Sequence, residues 1–123
     1  LEQMVSIGHY KYRSYLIFHG GEACGFCYLS QFRYKEAYDK SAEITLYLDK
    51  KFAGKGIGKK TITYLEKVAK SSGINNLIAV ITAHNLVSIS LFEKYGYFKV
   101  GHLKNIGIKF GKALDVVSYQ KEI

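Results

Sequence analysis

The chain has 123 residues, 48% hydrophobic and 23% charged, and its 18 Lys and Arg outnumber 10 Asp and Glu for a net charge of +8. That length holds one domain with a single core, and the composition excludes a disordered chain and a helical membrane span. The charge favours an anionic partner, and because the lysines are scattered, a phosphate-bearing small molecule is expected and not nucleic acid or a membrane.

Residues 14–19 and 24–30 are short apolar or aromatic runs separated by Gly20-Gly21-Glu22, the signature of a β-hairpin. Cys24 and Cys27 lie in the second run. Three positions apart on a regular strand they point to opposite faces, and no second cysteine pair exists, so buried free thiols and no metal are expected. A polar, aromatic loop (31–40) follows, then an alternating strand at 43–48.

That strand leads into Phe52-Ala53-Gly54-Lys55-Gly56-Ile57-Gly58-Lys59-Lys60, the most informative stretch of the chain. Glycines at every second position let successive backbone N–H groups face one concavity, and a helix starting there adds its unpaired amides and positive dipole end. The result is a pyrophosphate cradle. It is not the nucleotide-triphosphate loop, because Ala53 stands where the first glycine belongs and Lys60 where the magnesium-binding hydroxyl belongs. It is not the dinucleotide fingerprint either, whose last glycine falls one position after Gly58.

From Ile57 an apolar stripe through Thr61, Leu65, Val68 and Ala69 predicts a helix ended by Gly73. Residues 76–82 read as a central strand and 87–95 as a second helix, with Ile89 and Phe92 inward and Gly96 as its stop. Strands at 97–101 and 114–120 complete an α/β domain with a mixed sheet and helices on both faces.

The succession of strand, G-x-G-x-G loop, helix, strand, Asn85, second helix and Glu93-Lys94-Tyr95-Gly96-Tyr97 resembles the GCN5-related N-acetyltransferase (GNAT) fold. Three further stretches resemble its phosphinothricin and methionine sulfone acetyltransferase branch. They are Gly25-Phe26 through Phe32-Arg33 to Ala37-Tyr38, then residues 43–48, and Val100-Gly101-His102 through Lys109-Phe110-Gly111 to Leu114-Asp115-Val116-Val117. The resemblance covers roughly residues 16 to 121 and implies a mostly antiparallel sheet flanked by helices. Such proteins open with a strand and helices that wall the acceptor pocket. Only residues 1–12 stand in that place here, so an N-terminally incomplete single domain, without the first strand and helix, is expected.

The resemblance also implies acetyl-coenzyme A as co-substrate, with the pantetheine arm along Leu46, Tyr47 and Leu48. The pyrophosphate then lies on Gly54, Lys55, Gly56, Ile57, Gly58 and Lys59. Asn85 would contact the pantetheine, with helix capping as its other reading. Glu43 is the carried-over general base, partly desolvated by its apolar strand, and Arg33, Lys35 and Tyr38 would hold an amino-acid-like amine acceptor. The chain departs from the family at Ala53, where Arg or Gln is usual, and at Phe92, where a tyrosine often protonates the departing thiolate. His102 and Lys109 are conspicuous without a carried-over role. The expected activity is N-acetylation of a small primary amine by a cytoplasmic homodimer. An inactive coenzyme A-binding module is the alternative.

Overall fold

The computed structural model describes residues 2–8 and 11–123. Its elements in chain order are β1 (Glu2–Gly8), β2 (Arg13–His19), β3 (Glu22–Gln31), a 3-10 turn (Glu36–Tyr38), β4 (Ser41–Leu48), a second 3-10 turn (Lys50–Phe52), α1 (Ile57–Ser71), β5 (Asn76–Thr82), α2 (Leu86–Lys94), β6 (Phe98–Lys109) and β7 (Lys112–Glu122). The strands form one sheet in the order β1-β2-β3-β4-β5-β7-β6. Only the β4–β5 pair is parallel.

One face of the sheet is the core. Tyr15, Ile17, Leu29, Ala42, Ile44, Leu77, Ala79, Val117 and Tyr119 alternate along their strands and are buried together with Ile62, Leu65 and Ala69 of α1 and Phe92 of α2. The expectation of helices on both faces is corrected. Tyr119 and Lys121, two residues apart on β7 and therefore on one face, reach Glu93 of α2 at 2.9 Å and Glu66 of α1 at 3.1 Å. Tyr97 closes this clamp by donating its hydroxyl to Glu66 at 2.8 Å, and burial, with the carboxylate beside it, pushes its pKa up. The opposite face carries no α-helix among the described residues, and Leu16, Phe26, Tyr47 and Val80 stand exposed on it.

Three local features differ from the sequence pattern. The expected absence of an opening strand is corrected by β1, which pairs with β2 and sets Val5 opposite Leu16. Its weak alternation hid it, while the free edge of β2 offered a row of backbone groups to satisfy. Cys24 and Cys27 both face the core, 1% and 0% exposed, and not opposite faces. The β2–β3 register shifts at Ile17/Phe18, and the extra residue brings Cys24 inward. Burial pushes the Cys27 thiol up to about 12, and no metal-ligating cluster exists among the described residues. The strand expected at 97–101 runs on through Lys109, carrying register shifts at Lys99/Gly101 and Leu103/Gly107.

Glycines set two close approaches. A Cβ on Gly25 would lie 2.1 Å from the Tyr47 carbonyl oxygen, so β3 can follow the end of β4 only without a side chain there. A Cβ on Gly58 would lie 2.7 Å from Leu91 Cδ2, so the first turn of α1 rests directly against α2.

Candidate functional site

The β4–β5 ladder joins only Ser41 to Asn76, Ala42 to Leu77 and Glu43 to Ile78. Beyond these pairs the strands part, and β4 keeps hydrogen bonding to β3 alone as far as Leu48. The parting opens a slot of about 180 Å³ lined by residues 44–47, Val80, Ile81, Thr82, Asn85, Ser88, Phe92 and Val116. An extended ligand laid there would meet the free edge of β4 as a further strand would.

The slot leads to a groove of about 480 Å³ between the glycine loop and α2. Asp49 builds the approach by accepting the Lys51 N–H at 3.1 Å, and Phe52, 5% exposed, anchors the turn. Gly54 and Gly56 then take φ of 77° and 78°, the left-handed region that glycine enters without strain. Gly56 is the N-cap of α1. No side chain caps this helix among the described residues, and its first turn holds no acid. The amides at the start of α1 are therefore left for an anion.

A third cavity, of about 490 Å³, lies on the sheet face away from the helices. Phe32, Arg33 and Tyr38 line it from the β3–β4 loop, and Ser41, Asn76, Ile78, Ser118 and Gln120 from the strands. Arg33 is held flat, 4.1 Å from the centre of the Phe32 ring, with Nη1 donating to the Phe32 carbonyl at 2.8 Å. That posture leaves the rest of the guanidinium fork for a carboxylate.

The structure gathers most of the candidate residues. Leu46, Tyr47 and Asn85 line the slot, and Leu48, Gly54, Gly56, Ile57, Gly58 and Lys59 line the groove. Arg33 and Tyr38 line the third cavity. Lys55, Lys35 and Glu43 line none of the three. Glu43 is half-buried between Ser30 and Ile78, at the point where β4 and β5 diverge. Asn85 is the N-cap of α2, its side chain accepting the Ser88 N–H at 3.2 Å. Phe92 is buried at the slot, whereas Tyr95 faces the groove. His102 binds Asp115 at 2.8 Å, and Lys109 lies over Phe110 at the hairpin turn.

Sequence reasoning missed Val87, Ser90, Leu91 and Lys94, which form the α2 wall of the groove. Their spacing of three, four and seven was readable as one helical stripe. It also missed Asn76, Ser118 and Gln120, which no local pattern marks.

The chain matches a family model described as an acetyltransferase (GNAT) domain over residues 3–117. A phosphinothricin N-acetyltransferase of Streptomyces viridochromogenes is 31% identical over 102 residues, 83% of this chain and 56% of that protein. An L-methionine sulfoximine/L-methionine sulfone acetyltransferase of Pseudomonas paraeruginosa is 29% identical over 100 residues, 81% of this chain and 58% of that one. Among solved structures, a GNAT superfamily phosphinothricin acetyltransferase of Sinorhizobium meliloti in complex with AcCoA has a TM-score of 0.83 and 32% identity, covering 91% of this chain and 61% of its own. The chain spans a little over half the length of the curated relatives it matches.

Proposed function

The chain belongs to the acetyltransferase (GNAT) family, and from that premise we propose that it transfers acetyl from acetyl-coenzyme A to the primary amine of a small, amino-acid-like acceptor of the phosphinothricin or methionine sulfone type. The observation that carries this reading is the uncapped, glycine-built start of α1 beside the parting of β4 and β5. A diphosphate suits the first and an extended pantetheine arm suits the second.

In this reading the amides of residues 54–59 take the diphosphate, with Lys59 beside them. The free edge of Leu46 to Leu48 takes the arm, and Asn85 contributes the amide nitrogen that its capping bond leaves unused. The co-substrate supplies an acyl group activated as a thioester. Arg33 pairs with the acceptor carboxylate, Tyr38 lines its cavity, and Lys35 adds positive charge on the same loop. Glu43 removes a proton from the acceptor ammonium through water, since only the neutral amine attacks. A backbone N–H near Leu46 faces the oxyanion that forms. A cytoplasmic homodimer goes with this reading, the second copy covering an open sheet edge.

Phe92 favours a second reading, a coenzyme A-binding module, because its ring brings no hydroxyl to the slot. Following free thiol from acetyl-coenzyme A with a panel of amines separates the two. Amine-dependent release is expected, and Glu43→Gln should lower it by roughly 10²–10⁴ with cofactor affinity retained. Tight binding without amine-stimulated release would establish the module instead, and calorimetry showing no heat with either form of the cofactor would overturn both readings.

A further inference from the structure

Gln120 sits on β7 opposite Ile78, which in turn sits beside Glu43, so the three share one row on the helix-free face of the sheet. Its side chain is fixed. Nε2 donates to Asn76 Oδ1 at 2.7 Å, and Asn76 Nδ2 donates to Asn75 Oδ1 at 3.3 Å. A carboxamide with one N–H engaged by Asn76 cannot turn over without losing that bond, so it offers its carbonyl oxygen and its second N–H elsewhere. Gln120, Asn76 and Arg33 line the same cavity of about 490 Å³.

This cavity therefore combines a fixed donor and a fixed acceptor. Arg33 can only donate, and Gln120 Oε1 can only accept. Ser41, Ser118 and Tyr38, which also line it, carry hydroxyls that rotate to suit either role, and His102, held by Asp115 at 2.8 Å, lines it from β6. An acceptor molecule that brings a carboxylate to Arg33 and an N–H or O–H to Gln120 leaves both satisfied. One that brings only bare oxygens can accept the remaining Nε2–H but leaves Oε1 unpaired in a partly enclosed space, which is where hydrogen-bond mismatch discriminates most.

Resting on the acetyltransferase reading above, we propose that Gln120 is a specificity-determining residue that, within that acceptor class, favours amines whose polar head carries a hydrogen-bond donor. Asn76 is the positioning residue that holds the Gln120 amide in that orientation. Methionine sulfoximine and methionine sulfone are the probes for this, because they match in size and differ in one group at sulfur, N–H against O. Sulfoximine can donate to Gln120 Oε1; sulfone cannot.

The experiment measures kcat/KM for both probes with the full chain. Wild type should favour sulfoximine by about tenfold. Gln120→Leu and Asn76→Ala should bring the ratio close to one, chiefly by raising KM for sulfoximine, with KM for acetyl-coenzyme A unchanged. An unchanged melting temperature in Gln120→Leu and Asn76→Ala guards against a trivial folding defect. A ratio that is the same in wild type and Gln120→Leu overturns the proposal, as does turnover of other amines with neither probe used. Failure of every amine to release thiol would instead sink the acetyltransferase reading, and this inference with it.

Discussion

Helix α2 starts on Asn85, whose side-chain oxygen takes the Ser88 N–H at 3.2 Å, whereas helix α1 starts on Gly56, at φ 78°, with no side-chain cap among the described residues. The contrast is instructive because at two other places the chain answers exposed amides from its own side chains. Asp49 takes the Lys51 N–H at 3.1 Å immediately before the glycine loop. Asp115 takes the Asn105 N–H at 2.8 Å in the β6–β7 hairpin. An absent N-cap costs about 1 kcal/mol, and space was no obstacle, since a Cβ at Gly54 or Gly56 would meet nothing within 4 Å. A helix end with room for an acceptor, but none from the chain, supports the diphosphate site proposed above.

The strongest way to break this contrast is to give α1 the kind of cap that α2 has. Gly56→Asp places a carboxylate where the diphosphate is expected. Coenzyme A affinity measured by calorimetry should fall about 100-fold, since a charged, hydrogen-bonded competitor displaces several charge-assisted bonds. Thermal stability should move little, because the cap gained offsets the strain of a side chain at positive φ. Retained affinity would mean that these amides do not hold the ligand.

Removing the cap that exists is the milder, converse change. Asn85→Ala should cost about 1 kcal/mol of stability, a fall in melting temperature of roughly 4 °C. If Asn85 also touches the pantetheine arm, coenzyme A affinity should fall by up to about tenfold. A stability loss with affinity untouched would make Asn85 a cap and nothing more, and would sharpen the division of labour between the two helix starts.

The start of α1 was legible because it is local: glycines at alternate positions, a following helical stripe and Gly73 as its stop all lie within one stretch of sequence. The Gly20-Gly21 hairpin was legible for the same reason, with both residues at positive φ. What escaped was written across strands. Asn76 and Gln120 meet through a β5–β7 register that no local pattern reveals. Cys24 turns inward only because the chain bulges against β2. The length of β6 depends on Asp115, ten residues further on, tying down the irregular stretch at Asn105. The helices lie on one face because β7 side chains reach both, another long-range fact.

That β6–β7 contact gives the smallest and most selective test, because there the anion is part of the chain. Asp115 hydrogen-bonds to His102 and to the Asn105 N–H, and these two contacts, the His102 bond first, hold its carboxyl below the ordinary 3.8. A carboxylate whose folded value is depressed contributes stability above its unfolded pKa and loses that contribution as pH falls through the folded one. Asp115→Asn retains an oxygen for Asn105 but removes the charge and puts an amide NH₂ where an oxygen meets His102. In melting curves taken from pH 7 down to pH 2, wild type should therefore start slightly more stable than the variant, and the gap should close below about pH 3.8. Coenzyme A affinity at pH 7 should not change, because this carboxylate answers an amide in the hairpin and none at the start of α1. A gap that persists to pH 2 would show that the oxygen's shape, and not its charge, holds the hairpin. An accompanying loss of affinity would undo the separation between amides the chain satisfies itself and those it leaves for a ligand.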